Sequence, residues 1–150
     1  VEEKGEDGIY NGALDNASGV AGILTLARAG GQLEPKPKRS AMFLFVGSEE
    51  KGLLGSRYYA ENPIVPHVKT VANVNVDGLA IRERTEDAEV VGSGQSDLED
   101  TLREVLARSG RRIEPDSESE KGYYYRSDHF NFARVGIPAL YIKSGKAVPG

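Results

Sequence analysis

The chain has 150 residues, long enough for one domain with a sizeable core, and its 39% hydrophobic and 28% charged residues describe a folded chain, not a disordered one. A net charge of -4 gives no electrostatic reason to expect nucleic acid as a partner, and no apolar run approaches the ~20 residues of a membrane span. Cysteine is absent, which excludes disulfides and thiolate metal sites, and there are only two histidines, so any metal site must be built mainly from carboxylates.

Taken in chain order, the acidic opening "VEEKGEDGIYNGA" has no apolar periodicity and reads as a loop. "NASGVAGILTLARAGG" carries Val20, Ile23, Leu24 and Ala27 at helical spacing and stops at Gly30 and Gly31. After a proline-broken turn, the continuous apolar run 41–47 predicts a strand covered on both faces. "GLLGSRYYAEN" predicts a short helix ended by Pro63. "TVANVNVDG" alternates Ala72, Val74 and Val76 against Asn73, Asn75 and Asp77, the period of a strand. "AEVVGSG" predicts a weaker strand.

"SDLEDTLREVLARSG" has the strongest helical pattern: Ser96 and Glu99 predict a capping box, Leu98, Leu102, Val105 and Leu106 one apolar face, and Gly110 the end. A short helix started by Ser127 and a last strand in "IPALYIKSG" complete the chain. Strands alternating with helices imply an α/β sheet.

The acids fall at element ends, where open α/β sheets collect ligands. Glu49 and Glu50 follow the 41–47 run, Asp77 ends the next strand, and Asp15 and His129 stand at helix starts. Singly, each has an ordinary reading: Asp15 as an N-cap, Asp77-Gly78 as a turn, Glu49-Glu50 as a solvated pair, His129 as a surface histidine. Asp128 reads as a helix-start residue or as an acid that orients the neighbouring imidazole, and His67, between prolines, as a surface residue.

Four ordered blocks, "GALDNASGVAGILTLARA", "FVGSEEKGLLGSRYYA", "NVNVDGL" and "YYYRSDHFNFARVGIPALY", resemble the co-catalytic zinc exopeptidases of metallopeptidase family twenty-eight, the group of bacterial leucine-type aminopeptidases. The resemblance runs from about Gly5 to Gly145. It implies a three-layer αβα sandwich with a mixed, mostly parallel sheet lacking its N-terminal strands, and a single partial catalytic domain over 1–150. Residue by residue it implies Asp15 as the carboxylate bridging two zinc ions, Glu49 as general base, Glu50 as a terminal ligand of one zinc and Asp77 of the other, and His129 as the imidazole on the Glu50 side. Cobalt or manganese would also fit such donors. Tyr123, Tyr124 and Tyr125 either wall a substrate pocket or simply pack.

The same resemblance implies hydrolysis of N-terminal peptide bonds, a peptide substrate with a free amino end, and a secreted or periplasmic protein. A single-zinc glutaminyl cyclase and a catalytically silent domain of the same fold are the alternatives. The family's upstream H-x-D histidine ligand has no counterpart in this chain, so the expectation is a fragment of a longer enzyme, the alternative being a reduced version with an impaired site. This chain is expected to associate through an unpaired strand edge, as an oligomer or by strand swapping, or to be weakly active at best.

Overall fold

A computed structural model describes residues 9–79 and 84–148. The predicted opening loop therefore lies outside the described residues as far as residue 8. Four strands form one mixed sheet in the order β1-β4-β2-β3, with β1 Asn73–Asn75, β2 Asp87–Val91, β3 Arg112–Pro115 and β4 Ala139–Ser144. β1 runs parallel to β4 and β2 parallel to β3, while β2 and β4 are antiparallel. The expected mixed α/β sheet is thus present. β3 escaped the sequence reading because "RIEP" is short, half charged and ends in proline.

The helices are α1 Gly19–Gln32, α2 Leu54–Glu61, α3 Leu98–Ala107 and α4 His129–Arg134. β2 lies between β4 and β3 and is buried along its whole length, Asp87 and Glu89 included. A core cluster joins Tyr59 of α2, Phe132 of α4, Ile137 and Ala139, with Leu44 packed against it. Tyr59 and Phe132 meet with ring centroids 5.7 Å apart, which locks α2 against α4 beneath the site described below.

Several local expectations need correction. Residues 41–47 form no ladder among the described residues. Leu44 and Val46 turn inward while Phe43 and Phe45 stay exposed, so this run is covered on one side only. A ladder needs a neighbour to satisfy its N–H and C=O groups, and none of the described strands pairs with it. In β1 the alternation is present but reversed: Asn73 and Asn75 are half-buried and Val74 is 54% exposed. On α1, Ile23 and Ala27 are half-buried whereas Val20 and Leu24 are exposed.

The capping box of α3 does not form as predicted. Ser96 accepts from the Leu98 N–H, and Glu99 accepts from Ser93 and the Gly94 N–H instead of returning to Ser96. Val105 is exposed, leaving Leu106 as the buried residue of that helix face, with Leu98 and Leu102 half-buried.

Candidate metal and proton-transfer site

The site starts with a clamp between two chain segments. Residues 13–18 make a widened helical turn before α1. From it, Asn16 Nδ2 donates to the Val76 carbonyl at 3.0 Å, while its Oδ1 accepts from the N–H groups of Gly19 and Gly78, each at 3.1 Å. Ser18 Oγ accepts from the Leu79 N–H at 2.9 Å and donates to the Leu14 carbonyl at 2.6 Å. Glycine is required at position 19 by close approach: a β-carbon there would lie 2.1 Å from Asn16 Oδ1.

This clamp sets Asp15 beside Asp77. Burial first, and then the charges of Asp77 and Glu50, raise the Asp15 carboxyl above its ordinary range. Asp77 is itself fixed from the other side. Ser127, 2% exposed, donates to Asp77 Oδ2 at 2.8 Å and accepts from Asn75 Nδ2 at 2.8 Å.

Glu49 and Glu50 do not continue a strand. Ser48 takes a left-handed conformation (φ 61°), and residues 49–51 form a tight 3-10 turn closed by the Gly52 N–H on the Glu49 carbonyl. Glu49 is half-buried and Glu50 exposed, and both line one cleft. Burial, then Asp77, Glu50, Asp128 and Asp15, push the Glu49 carboxyl up to about 7. Asp15, Glu49, Glu50 and Asp77 therefore share one electrostatic field. No lysine or arginine pairs with any of them among the described residues.

His129 is fully buried, and neither ring nitrogen has a hydrogen-bond partner. Tyr124 meets it edge-on at 5.0 Å and Tyr141 lies 5.1 Å away. Burial lowers its pKa to about 4, so at neutral pH the imidazole is uncharged, the form that ligates metals. Tyr141 joins it to the acids. Its hydroxyl lies 3.5 Å from the Asp77 carbonyl, and its ionisation is pushed up by burial, then by Asp77, Glu49 and Asp15.

Among the described residues no three of these side chains stand close enough together to hold one metal ion. Their chemistry nonetheless suits a divalent cation. Four acids without a cationic partner share one field, and Tyr141 links them to a buried neutral imidazole whose ring nitrogens have no hydrogen-bond partner, a costly state for buried polar atoms. Asp128 begins α4 without capping it. Its carboxyl is raised by burial and by Asp77 and turns toward Ser56, so it does not orient the His129 ring. His67 is half-buried in a 3-10 turn at residues 67–69.

The three tyrosines divide. Tyr123 lies under Lys143, whose Nζ is 4.0 Å from the ring centroid, and Tyr124 packs on His129 and Phe130. Tyr125 is exposed and stands between two clefts. One, of about 420 Å³, contains Glu49, Glu50 and Phe130; the other, of about 360 Å³, contains Gly92, Asp116, Ser119 and Tyr124. Asn16, Ser18, Asn75, Ser127 and Tyr141 were not read from the sequence as site residues. For Asn75 the signal was present, since it shares the face of β1 with Asn73 and Asp77.

The sequence profile of Peptidase family M28 matches residues 2–149. Leupeptin-inactivating enzyme 1 of Streptomyces exfoliatus is 31% identical over 93% of this chain, which spans 31% of that protein. The probable lipoprotein aminopeptidase LpqL of Mycobacterium tuberculosis is 32% identical over 91% of this chain, which spans 29% of it. The fold is shared with BSAP, a zinc aminopeptidase from Bacillus subtilis: the TM-score is 0.70 at 24% identity, covering 89% of this chain and 32% of that one. The chain thus spans about a third of the length of the relatives it matches. It belongs to peptidase family M28.

Proposed function

We propose that the protein of which this chain forms the described part is a metal-dependent aminopeptidase. The observation that carries the reading is that Glu49 and the carboxylates of Asp15, Glu50 and Asp77 share one field, with Tyr141 in contact with both Asp77 and an orphaned, neutral imidazole. Asp15, Glu50, Asp77 and His129 would hold two zinc ions, a metal that suits imidazole and carboxylate donors and is the one used by the Bacillus subtilis aminopeptidase of the same fold. When bound, zinc supplies Lewis acidity toward a carbonyl and lowers the pKa of water from 15.7 to about 7.

The chain's own part is proton handling and positioning. Glu49, with a pKa of about 7, accepts a proton from the attacking water and returns it to the leaving amine, as a base matched to neutral pH should. Ser127 holds the Asp77 carboxylate, Asn16 holds the backbone of Val76 and Gly78 on either side of it, and Tyr141 packs against His129. The lipoprotein name of the mycobacterial relative supports an exported enzyme. Among the described residues no helix is long and apolar enough to cross a membrane.

Glu49→Gln in the full-length protein tests the reading. Turnover of a leucyl nitroanilide should fall about 10²–10⁴-fold with metal content unchanged. Loss of metal together with activity would make Glu49 a ligand instead. A glutaminyl peptide in the same assay separates hydrolysis from cyclisation.

A further inference from the structure

The cleft that holds Glu49 and Glu50 is also lined by three guanidinium groups. Arg57 comes from α2, Arg126 from the end of the tyrosine turn, and Arg134 from the last turn of α4. Among the described residues none of them forms an ion pair, although two glutamates line the same cleft. Two of them make only weak side-chain contacts: Arg126 over the Tyr123 ring at 5.6 Å, Arg134 over the Phe130 ring at 6.0 Å and 3.5 Å from Asn131 Oδ1. The chain as a whole carries -4, yet this concavity is lined by three cations and two acids.

Metal binding at Glu50 would leave the cleft more positive still. Guanidinium groups bind planar oxyanions through paired N–H donors, and several converging on one ligand add specificity that an isolated surface pair lacks. The volume, about 420 Å³, lies within the range of small-ligand sites. Glu49 decides which part of a substrate enters. In the aminopeptidase reading, on which this inference rests, Glu49 returns the proton to the leaving amine, so a group bound beside it belongs to the leaving side.

We propose that Arg57, Arg126 and Arg134 form a carboxylate-recognising subsite for the leaving portion of the substrate, which makes the enzyme selective for short peptides with a carboxylate on the residue directly past the scissile bond. That carboxylate comes either from the free C-terminus of a dipeptide or from an acidic second residue. Tyr125, the wall shared by the two clefts, separates this subsite from the one of about 360 Å³ beyond it.

The full-length protein is assayed with leucyl-glycine against leucyl-glycinamide, and with the amides of leucyl-glutamate against leucyl-glutamine. Charge recognition worth one bidentate contact should give the charged member of a pair about tenfold higher kcat/KM, carried by KM. The first pair reports a terminal carboxylate and the second a side-chain carboxylate. The combined variant Arg57→Gln, Arg126→Gln, Arg134→Gln should bring that ratio close to one. Should it fail to fold, Arg57→Gln alone, at an exposed position, should reduce the ratio about threefold.

Ratios near one in the wild type for both pairs, or a ratio that the substitutions leave unchanged, overturn the subsite. If no leucyl peptide is cleaved, the hydrolase reading fails on its own. Calorimetric titration of the same peptides then decides the subsite: tighter binding of the charged members supports it, and equal binding overturns it.

Discussion

Ser127 donates to Asp77 Oδ2 at 2.8 Å, and the same hydroxyl accepts from Asn75 Nδ2 at 2.8 Å. A serine two residues ahead of His129 thereby orients an acid at the far end of β1. Partners of this kind aim a ligating carboxylate and hold it in one rotamer. Ser127→Ala should weaken divalent-cation affinity about 10–100-fold, read by titration against a chelating dye. Wild-type affinity in the variant would make the contact a packing detail.

Asn16 ties the turn before α1 to the segment after β1 through two hydrogen bonds, to Val76 and Gly78, and accepts a third, local one from the Gly19 N–H at the start of α1. Alanine at this position leaves two N–H groups and a carbonyl without their partner. At about 1 kcal/mol per bond, the expected loss is on the order of 2–3 kcal/mol, measured as a shift in urea midpoint at unchanged m-value. A shift below about 0.5 kcal/mol would show that water replaces the carboxamide.

Asp87 sits buried in β2, where burial by itself would raise its carboxyl. The N–H groups of Ala147 at 2.9 Å and Lys146 at 3.1 Å, with Arg112 nearby, more than offset this and hold it below the ordinary 3.8. A carboxyl depressed in the folded state contributes stability that is present above 3.8 and is lost as pH falls through its folded value. Stability should therefore drop as pH falls below about 5. Asp87→Asn should flatten that drop and cost about 1–3 kcal/mol at pH 7, because an amide has one acceptor for two donors. Parallel stability curves for the two proteins across this window would refute the assignment.

The 150-residue chain on its own should self-associate. Phe43 is 41% exposed, Phe45 48% and Val74 54%, and β1 pairs on one edge only among the described residues. Light scattering should show dimers or larger species, and Phe43→Lys with Phe45→Lys should shift them toward monomer. A wild-type chain that stays monomeric at high concentration contradicts the prediction.

The α1, α2 and α3 helices and the strands β1, β2 and β4 were legible because each carries a local period or a capping and stop signal of its own. The 41–47 run shows where such signals fail. Its composition is that of a strand, but pairing is a property of neighbours, and none of the described strands pairs with it. The reversed alternation of β1 has the same origin. Period two sets which residues share a face, while the elements packed against the sheet decide which face is buried.

By itself the sequence determined the blocks that mark the family and the candidates Asp15, Glu49, Glu50, Asp77 and His129, since chemistry and local context are written residue by residue. Only the tertiary structure decided that Ser127 holds Asp77 while Asn16 holds the residues on either side of it, that Tyr141 touches both His129 and Asp77, and that three arginines from separate elements line one cleft. Hydrogen bonds spanning fifty to sixty residues, and the field that lifts Glu49 to about 7, exist only once the chain has closed on itself.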